Sequence, residues 1–450
     1  MSESWADVDR NDRQVDAGRR PAPGDRPPVP VPADPPATTS AAPATPATPA
    51  TSDTLAASDT PATSDTPERA AVADPPVKSR SRFGMRAAWP AVALYAGLRA
   101  VAVLVLWAVT EARGLNLAGV LTRFDGGIYV RIATQGYDAA IPLKPDGSLA
   151  PTNLAFFPLY PGLIAVVDPV LPGDARVAAI AVSWVAGLAA AWGLFAVGAQ
   201  LRDRRTGVLL AGLWAVVPHA VVESMSYSET TFTALAAWSL FALLRRRWLT
   251  AGVLCLFAGL ARPVAPALIA AVGLAALVAV CRRRDGWRPW VCMALTPLGF
   301  LGYVGWVGER LGRVDGYVYL QRESWLASYD AGQYAVSFAI QVLTVPHDLA
   351  YYVTTAVVLV ALGLLVLLVI DRTPWPLVVY AAVIFAAAVG VEGYYHTMAR
   401  HLLPAFPLLL PLASGLAGTR RPRIVVVLTL LAAMSVWYGV YLRMIWPYSP

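Results

Sequence analysis

FFPLYPGLIAVVDPVLPGD, residues 156–174, is apolar enough to cross a bilayer, yet it is broken by four prolines and carries Asp168. Its reading decides the fold. With about 20 apolar residues per full span and fewer for partly embedded helices, the rest of the chain offers eleven spans. They lie at approximately 88–110, 177–199, 207–222, 229–244, 249–261, 264–280, 289–308, 351–370, 375–391, 402–416 and 423–442. If 156–174 were a further span, LRDRR at 201–205 would be forced outside and every later basic loop inverted with it. Read as a re-entrant or interfacial segment, it leaves the loops carrying Arg202/Arg204/Arg205, Arg245/Arg246/Arg247, Arg282/Arg283/Arg284/Arg288, Arg372 and Arg420/Arg421/Arg423 on one side. Fourteen basic residues in five short loops mark a cytoplasmic face. The expectation is an all-α polytopic membrane protein, a bundle of about eleven transmembrane helices with loop and juxtamembrane helices on its outer face.

Composition agrees with that class. The 450 residues are 57% hydrophobic and 14% charged, against about 45–50% and about 25% in soluble globular chains, which excludes an ordinary soluble enzyme. Cys255, Cys281 and Cys292 stand at neither CxxC nor His-paired spacing, so neither a disulfide framework nor a zinc site is read. The net charge of +7 resides entirely beyond residue 86, where 26 Lys/Arg face 17 Asp/Glu. It sits in short runs between apolar stretches and not on a basic surface with interleaved aromatics, so nucleic acid is not an expected partner.

Residues 1–86 read as a separate region. The first 80 residues hold 15 of the 37 prolines among Ala, Thr, Ser and Asp, with SDT recurring at Ser52, Ser58 and Ser64. Such a segment buries too little apolar surface to offset its ordering entropy and is expected to be a disordered cytoplasmic tail. No apolar core follows a basic start, so it is not read as a signal peptide. KSRSRFGMR (78–86) gives the first span a basic flank, and 87–450 is expected to form the transmembrane domain of a multi-pass plasma-membrane protein.

Four clusters break the apolar pattern, and all four fall on the outer side. RFDGGIYVRIATQGY (123–137) places Asp125 between an aromatic and two glycines, where backbone can bring a carboxylate to a ligand; an N-cap of the following helix is the alternative. PHAVVESMSYSETTF (218–232) carries Glu223, Tyr227, Ser228 and Glu229. A solvated cap accounts for them, except that Glu229 adjoins an apolar helix, where a carboxylate is costly and a functional candidate. LARPVAPAL (260–268) puts Arg262 at the apex of a hairpin of short arms, below the outer surface and facing protein or a cavity. EGYYHTMARHLLPAFP (392–407) spaces Glu392, His396 and Arg400 by four, which on a helix gives one face with His401 beside it. That face is either a salt-bridge ladder or a phosphate site, with a guanidinium fork and a donor of adjustable charge.

A carboxylate, a buried arginine and an Arg/His pair on one membrane face are the parts that group transfer from a membrane-anchored phosphate requires, a base for the acceptor and cations for the departing phosphate. No Walker loop, HExxH or GxSxG occurs in the chain. The competing class is a transporter or flippase of a lipid-linked or anionic solute. Neither an inverted repeat nor a matched pair of broken helices favours it.

At these clusters the chain resembles the PIG-V type of integral-membrane mannosyltransferase, of the GT-C fold, in a bacterial form. The matching stretches are FDGGIYVRIATQGY, FFPLYPGL, SYSETTF followed by RRRW, LARPVAPAL and RHLLPAFPLLLPLA, in order from about 87 to 416. The resemblance implies transfer of mannose from a polyprenyl-phosphate carrier to a glycolipid, lipoglycan or protein acceptor on the extracytoplasmic side. It assigns Asp125 as catalytic base, Tyr227, Ser228 and Glu229 to the substrate, and Arg262 and Arg400 to the donor phosphate. His401 joins the phosphate group, and Tyr129 and His396 join the substrate residues. Phe124 stands where a tryptophan is common, and Ala265 where a glycine is common. A lipid carrier removes the need for a nucleotide site. Asp125 and Glu229 could ligate a metal, but the arginines already supply positive charge, so neither metal nor cofactor is expected.

Overall fold

The computed structural model describes residues 83–450, and the tail expected at 1–86 lies almost wholly outside them. In chain order the described residues form α1 (Met85–Ala112), α2 (Leu117–Leu121), α3 (Asp125–Gln135), α4 (Leu159–Val167), α5 (Ala175–Leu201), α6 (Arg204–Trp214), α7 (Glu229–Leu244), α8 (Trp248–Gly259) and α9 (Pro266–Cys281). They continue with α10 (Arg288–Leu295), α11 (Leu298–Leu311), α12 (Gly316–Ser324), α13 (Gln333–Thr344), α14 (Leu349–Ile370), α15 (Trp375–Val389), α16 (Met398–His401), α17 (Leu410–Ala417) and α18 (Arg421–Met444). β-structure among the described residues is limited to two isolated bridges, Leu143 with Leu149 and Tyr329 with Val391. The chain is an all-α polytopic membrane protein. α1, α5, α14, α18 and the consecutive pair α10–α11 are long and apolar enough to cross a bilayer, and α7, α8, α9, α15 and the segment 406–417 are shorter apolar helices.

Proline accounts for the departures from the eleven expected spans. The segment 207–222 is helical only to Trp214; a turn with Pro218 and a 3-10 turn at Ala220–Ser224 follow, because Pro supplies no N–H to an α-helix. The segment 402–416 is interrupted by Pro404, Pro407 and Pro411 and resolves into a 3-10 turn, Phe406–Leu409, and α17. The segment 289–308 divides at Pro297 into α10 and α11.

The segment 156–174 does not span. Its helix, α4, has 9 residues, and its first amide, Leu159 N, donates to Leu260 O at the tip of the α8–α9 hairpin, 2.9 Å away. Tyr160 Oη bonds Ala179 O and Ser183 Oγ of α5 at 2.9 and 2.7 Å. The segment therefore enters and leaves at the end of the bundle where Arg262 lies.

The basic loops gather at the other end. Arg202 Nη2 donates to Asp371 O (3.4 Å), Arg205 Nη2 to Thr419 O (2.6 Å), Arg246 pairs with Asp285 (3.6 Å), and Arg245 lies over Phe83 (5.1 Å). Three of these loops end their helix in one way. After α7, α9 and α14 an arginine takes positive φ, Arg246 at 54°, Arg283 at 51° and Arg372 at 52°. The next amide in each bonds back to the third-last helical carbonyl, Arg247 to Ala242, Arg284 to Ala279 and Thr373 to Leu368. This is the Schellman geometry that glycine usually adopts.

Small residues let the helices approach. A Cβ on Gly198 of α5 would meet Gly207 Cα of α6 at 2.7 Å, the close backbone contact by which membrane helices gain dispersion energy in the absence of a hydrophobic drive. Larger side chains fill the interior: Tyr95 of α1 stacks on Trp214 of α6 (5.4 Å, 15°), and Trp214 Nε1 donates to Leu403 O at 3.0 Å. α8 and α9 have 12 and 16 residues, roughly 18 and 24 Å at 1.5 Å per residue, less than the roughly 30 Å of bilayer hydrocarbon. Their apex, and Arg262 with it, consequently lies within the protein, 7% exposed.

Candidate active site

The site is built from three helix ends and two turns. α3 opens with Asp125, immediately after Phe124, which is held at φ 57°, ψ −126°. That conformation costs a non-glycine residue of order 1–3 kcal/mol, and the helix it leads into is closely backed: a Cβ on Gly126 would collide with Ser226 Oγ, while Ser226 N donates to Leu121 O at 3.1 Å. The first glycine of the DGG stretch thus serves the seating of α3 on the 218–232 turn. α7 opens with Glu229, whose carboxylate is 1% exposed and sits where a helix N-terminus favours negative charge.

Arg262 meets this helix end from the hairpin apex. Its Nη1 is 2.6 Å from Glu229 Oε2 and 3.4 Å from Ser228 Oγ, and Ser228 Oγ is 2.8 Å from Tyr129 Oη. The approach to Glu229 is close but off the line of a hydrogen bond, leaving both carboxylate oxygens and Arg262 Nε without one, so charge holds that pair. Arg400 of α16 joins the two halves. Its Nη1 donates to Asp125 Oδ2 (2.8 Å) and Ser449 Oγ (2.9 Å), its Nε lies 3.6 Å from Glu229 Oε1, and its guanidinium covers the Tyr227 ring at 5.2 Å. Asp125 is 24% exposed, and its Oδ1 has no hydrogen-bond partner among the described residues.

Two carboxylates and two guanidiniums balance, and the balance is felt. Burial acts to weaken the Arg400 cation, but Asp125 and Glu229 outweigh it and push its pKa up. Burial, and then Arg400, depress His401 well below the usual histidine range; the ring is neutral, and Nε2, 3.4 Å from Arg400 Nη2, accepts from it. His401 therefore orients Arg400 and carries no charge of its own.

The structure brings Asp125, Tyr129, Tyr227, Ser228, Glu229, Arg262, Arg400 and His401 together, and leaves His396 apart. Glu392, His396 and Arg400 share no helix face, because Gly393 at φ 103° breaks the run and only a single α-turn, α16, follows the 3-10 turn at Tyr395–Thr397. Glu392 instead accepts from Ser328 Oγ (2.5 Å). His396 packs among Tyr351, Trp446 and Tyr448 at 6.3, 5.6 and 5.9 Å, with its pKa pushed down to about 3 by burial and Arg400.

Three features escape the sequence reading. Ser449, near the end of the chain, bonds both Arg400 and Tyr227, and a serine in a short polar tail carries no signal of that. Glu223, readable as a solvated cap, is 1% exposed and packs near Arg99 of α1, which donates to the neighbouring Ser224 Oγ at 2.8 Å. Arg443, one residue past an expected span, is 2% exposed. No three His, Cys, Asp or Glu side chains converge as a metal group among the described residues.

No protein-family model matches the chain, and no curated protein matches it. Solved structures with a similar course of chain include ArnT from Cupriavidus metallidurans bound to undecaprenyl phosphate, at 16% identity and TM-score 0.44, covering 67% of this chain and 56% of that one. The oligosaccharyltransferase of Archaeoglobus fulgidus is similar in its apo form (13%, TM-score 0.41, 78% and 55% covered) and tethered with an acceptor peptide (13%, TM-score 0.36, 70% and 49% covered). The chain spans about half the length of these structures.

Proposed function

We propose that the chain is a GT-C-like glycosyltransferase that moves mannose from a polyprenyl-phosphate carrier to an acceptor hydroxyl at the extracytoplasmic face. The observation that carries this reading is the state of Asp125: one carboxylate oxygen is fixed by Arg400, the other has no hydrogen-bond partner among the described residues, and a second buried cation, Arg262, stands on the far side of the same cluster. In the step proposed, the acceptor O–H gives its proton to Asp125 Oδ1 as its oxygen bonds to the anomeric carbon. The bond from that carbon to the phosphate oxygen breaks, its electron pair leaves with the polyprenyl phosphate, and the configuration inverts. A positioned base is worth about 10²–10⁴ in rate, and cations preorganised in a water-poor site stabilise the departing phosphate. Ser228 and Tyr129 hold Arg262 in place, and His401 and Ser449 hold Arg400. The resemblance of FDGG, SYSETTF and LARP to the PIG-V type supports mannose as the sugar.

Membranes containing the protein, supplied with radiolabelled polyprenyl-phosphate mannose and a broad acceptor panel, are expected to move label into an acceptor fraction separable by extraction. Label that stays wholly on the carrier, or crosses the bilayer with the carrier intact, would replace transfer by transport. Sidedness has its own measurement. A cysteine at Ser148, an exposed residue in the loop between α3 and α4, is expected to react with an impermeant reagent on intact cells; reaction only after lysis would invert the topology.

A further inference from the structure

The four charges of the proposed site cancel, so a phosphate leaving group there gains further stabilisation from any cation that no carboxylate already holds. Two such cations lie against the ring of Phe124, the residue before Asp125. Arg443, in the last turn of α18, has its guanidinium carbon 5.4 Å from the centroid of the Phe124 ring, and Arg123 stands 5.2 Å from the same centroid. Neither makes an ion pair among the described residues. Arg443 is 2% exposed, and of its nitrogens only Nη2 is bound, donating to Val120 O at 2.6 Å. Nε and Nη1 are buried without any hydrogen bond. A buried guanidinium with two nitrogens unpaired is a charge the fold does not compensate. It lies against the ring of the strained Phe124, the residue that precedes the proposed base.

We propose that Arg443, with Arg123 at its mouth, is the seat of a lipid-linked phosphate, binding the donor's phosphodiester and then the phosphomonoester left after transfer. Arg443 supplies the fixed buried fork, and Arg123, exposed, draws the anion in over the Phe124 ring. Arg262 and Arg400 then serve to position Glu229 and Asp125 as well as to line the site. This inference rests on the transferase reading for the identity of its ligand, but its binding site stands or falls separately.

The test is binding of a fluorescent farnesyl phosphate to the full chain in phosphatidylcholine nanodiscs, with inorganic phosphate as a second competitor, followed beside melting temperature and label transfer. Loss of a charged hydrogen-bond fork is worth about tenfold or more in affinity. Arg443→Gln is expected to weaken farnesyl phosphate by at least that factor, Arg443→Lys to recover part of it, and Arg123→Gln, which removes no side-chain hydrogen bond among the described residues, to weaken it about threefold and flatten its dependence on salt. Arg123→Gln and Arg443→Lys keep the proposal testable if Arg443→Gln unfolds. Wild-type affinity in all three variants, or no binding by the wild type, overturns the seat. Inorganic phosphate binding as tightly as farnesyl phosphate would overturn its lipid specificity. Variants that lose binding in a protein that transfers no sugar would leave the seat standing and remove the transferase reading; transfer at wild-type rate by Arg443→Gln would do the reverse.

Discussion

Asp125→Asn is expected to lower the rate of sugar transfer by about 10²–10⁴ while leaving donor binding within a few fold. Asparagine keeps an oxygen to accept from Arg400 Nη1, now 2.8 Å from Oδ2, so the turn at Phe124 and the start of α3 stay in place. What is lost is the proton acceptor at the position of Oδ1. Initial rates with labelled donor, measured beside farnesyl phosphate affinity, separate the two effects. Turnover at the wild-type level would remove Asp125 as the base even if transfer itself were established. Equal losses of rate and of donor affinity would instead make it a brace for Arg400.

Glu229→Ala carries the larger structural penalty. Its carboxylate is buried between two guanidiniums, 2.6 Å from Arg262 and 3.6 Å from Arg400, and its removal leaves two buried cations with only Asp125 between them. Breaking a buried pair by removing one partner costs about 3–5 kcal/mol, because the remaining charge has lost its compensation. A clear fall in melting temperature of the detergent-solubilised protein is expected. The double variant Glu229→Gln with Arg262→Met should recover much of it, since it removes both charges and keeps the volume. A single variant that melts with the wild type would mean that water already screens this cluster.

The helical architecture was legible because its signal is additive along the chain. Apolar runs and basic punctuation located each of the long helices, and the topology choice made on residues 156–174 agrees with a nine-residue α4 that begins against Leu260. Interruptions were harder to read. Pro218 and Pro297 are visible as residues, but whether a proline kinks a helix or ends it depends on which neighbours take up the freed carbonyls, and those come from distant segments. The same holds at the site. Glu229 and Arg262 stood out because each is a charge where charge is costly, Asp125 by its aromatic and glycine neighbours and Arg400 by its spacing and the histidine beside it, whereas Ser449 is cheap anywhere and gains meaning only from Arg400 and Tyr227. The helix face expected of Glu392, His396 and Arg400 is absent for a local reason, since a four-residue spacing describes a face only within one helix, and α15 stops at Val389 while Gly393 at positive φ separates Glu392 from the turns that carry His396 and Arg400.

The three arginine turns after α7, α9 and α14 bind two properties together that are ordinarily adjusted separately. Holding an L-residue in the left-handed region costs roughly 1–2 kcal/mol relative to glycine, so Arg246, Arg283 and Arg372 to Gly would relax three helix ends. On the proposed topology the same changes remove three of the charges that direct membrane insertion. Selection for heat resistance and selection for correct insertion therefore pull these codons in opposite directions, and a screen for stabilised variants that favours glycine here would enrich molecules that insert with mixed orientation.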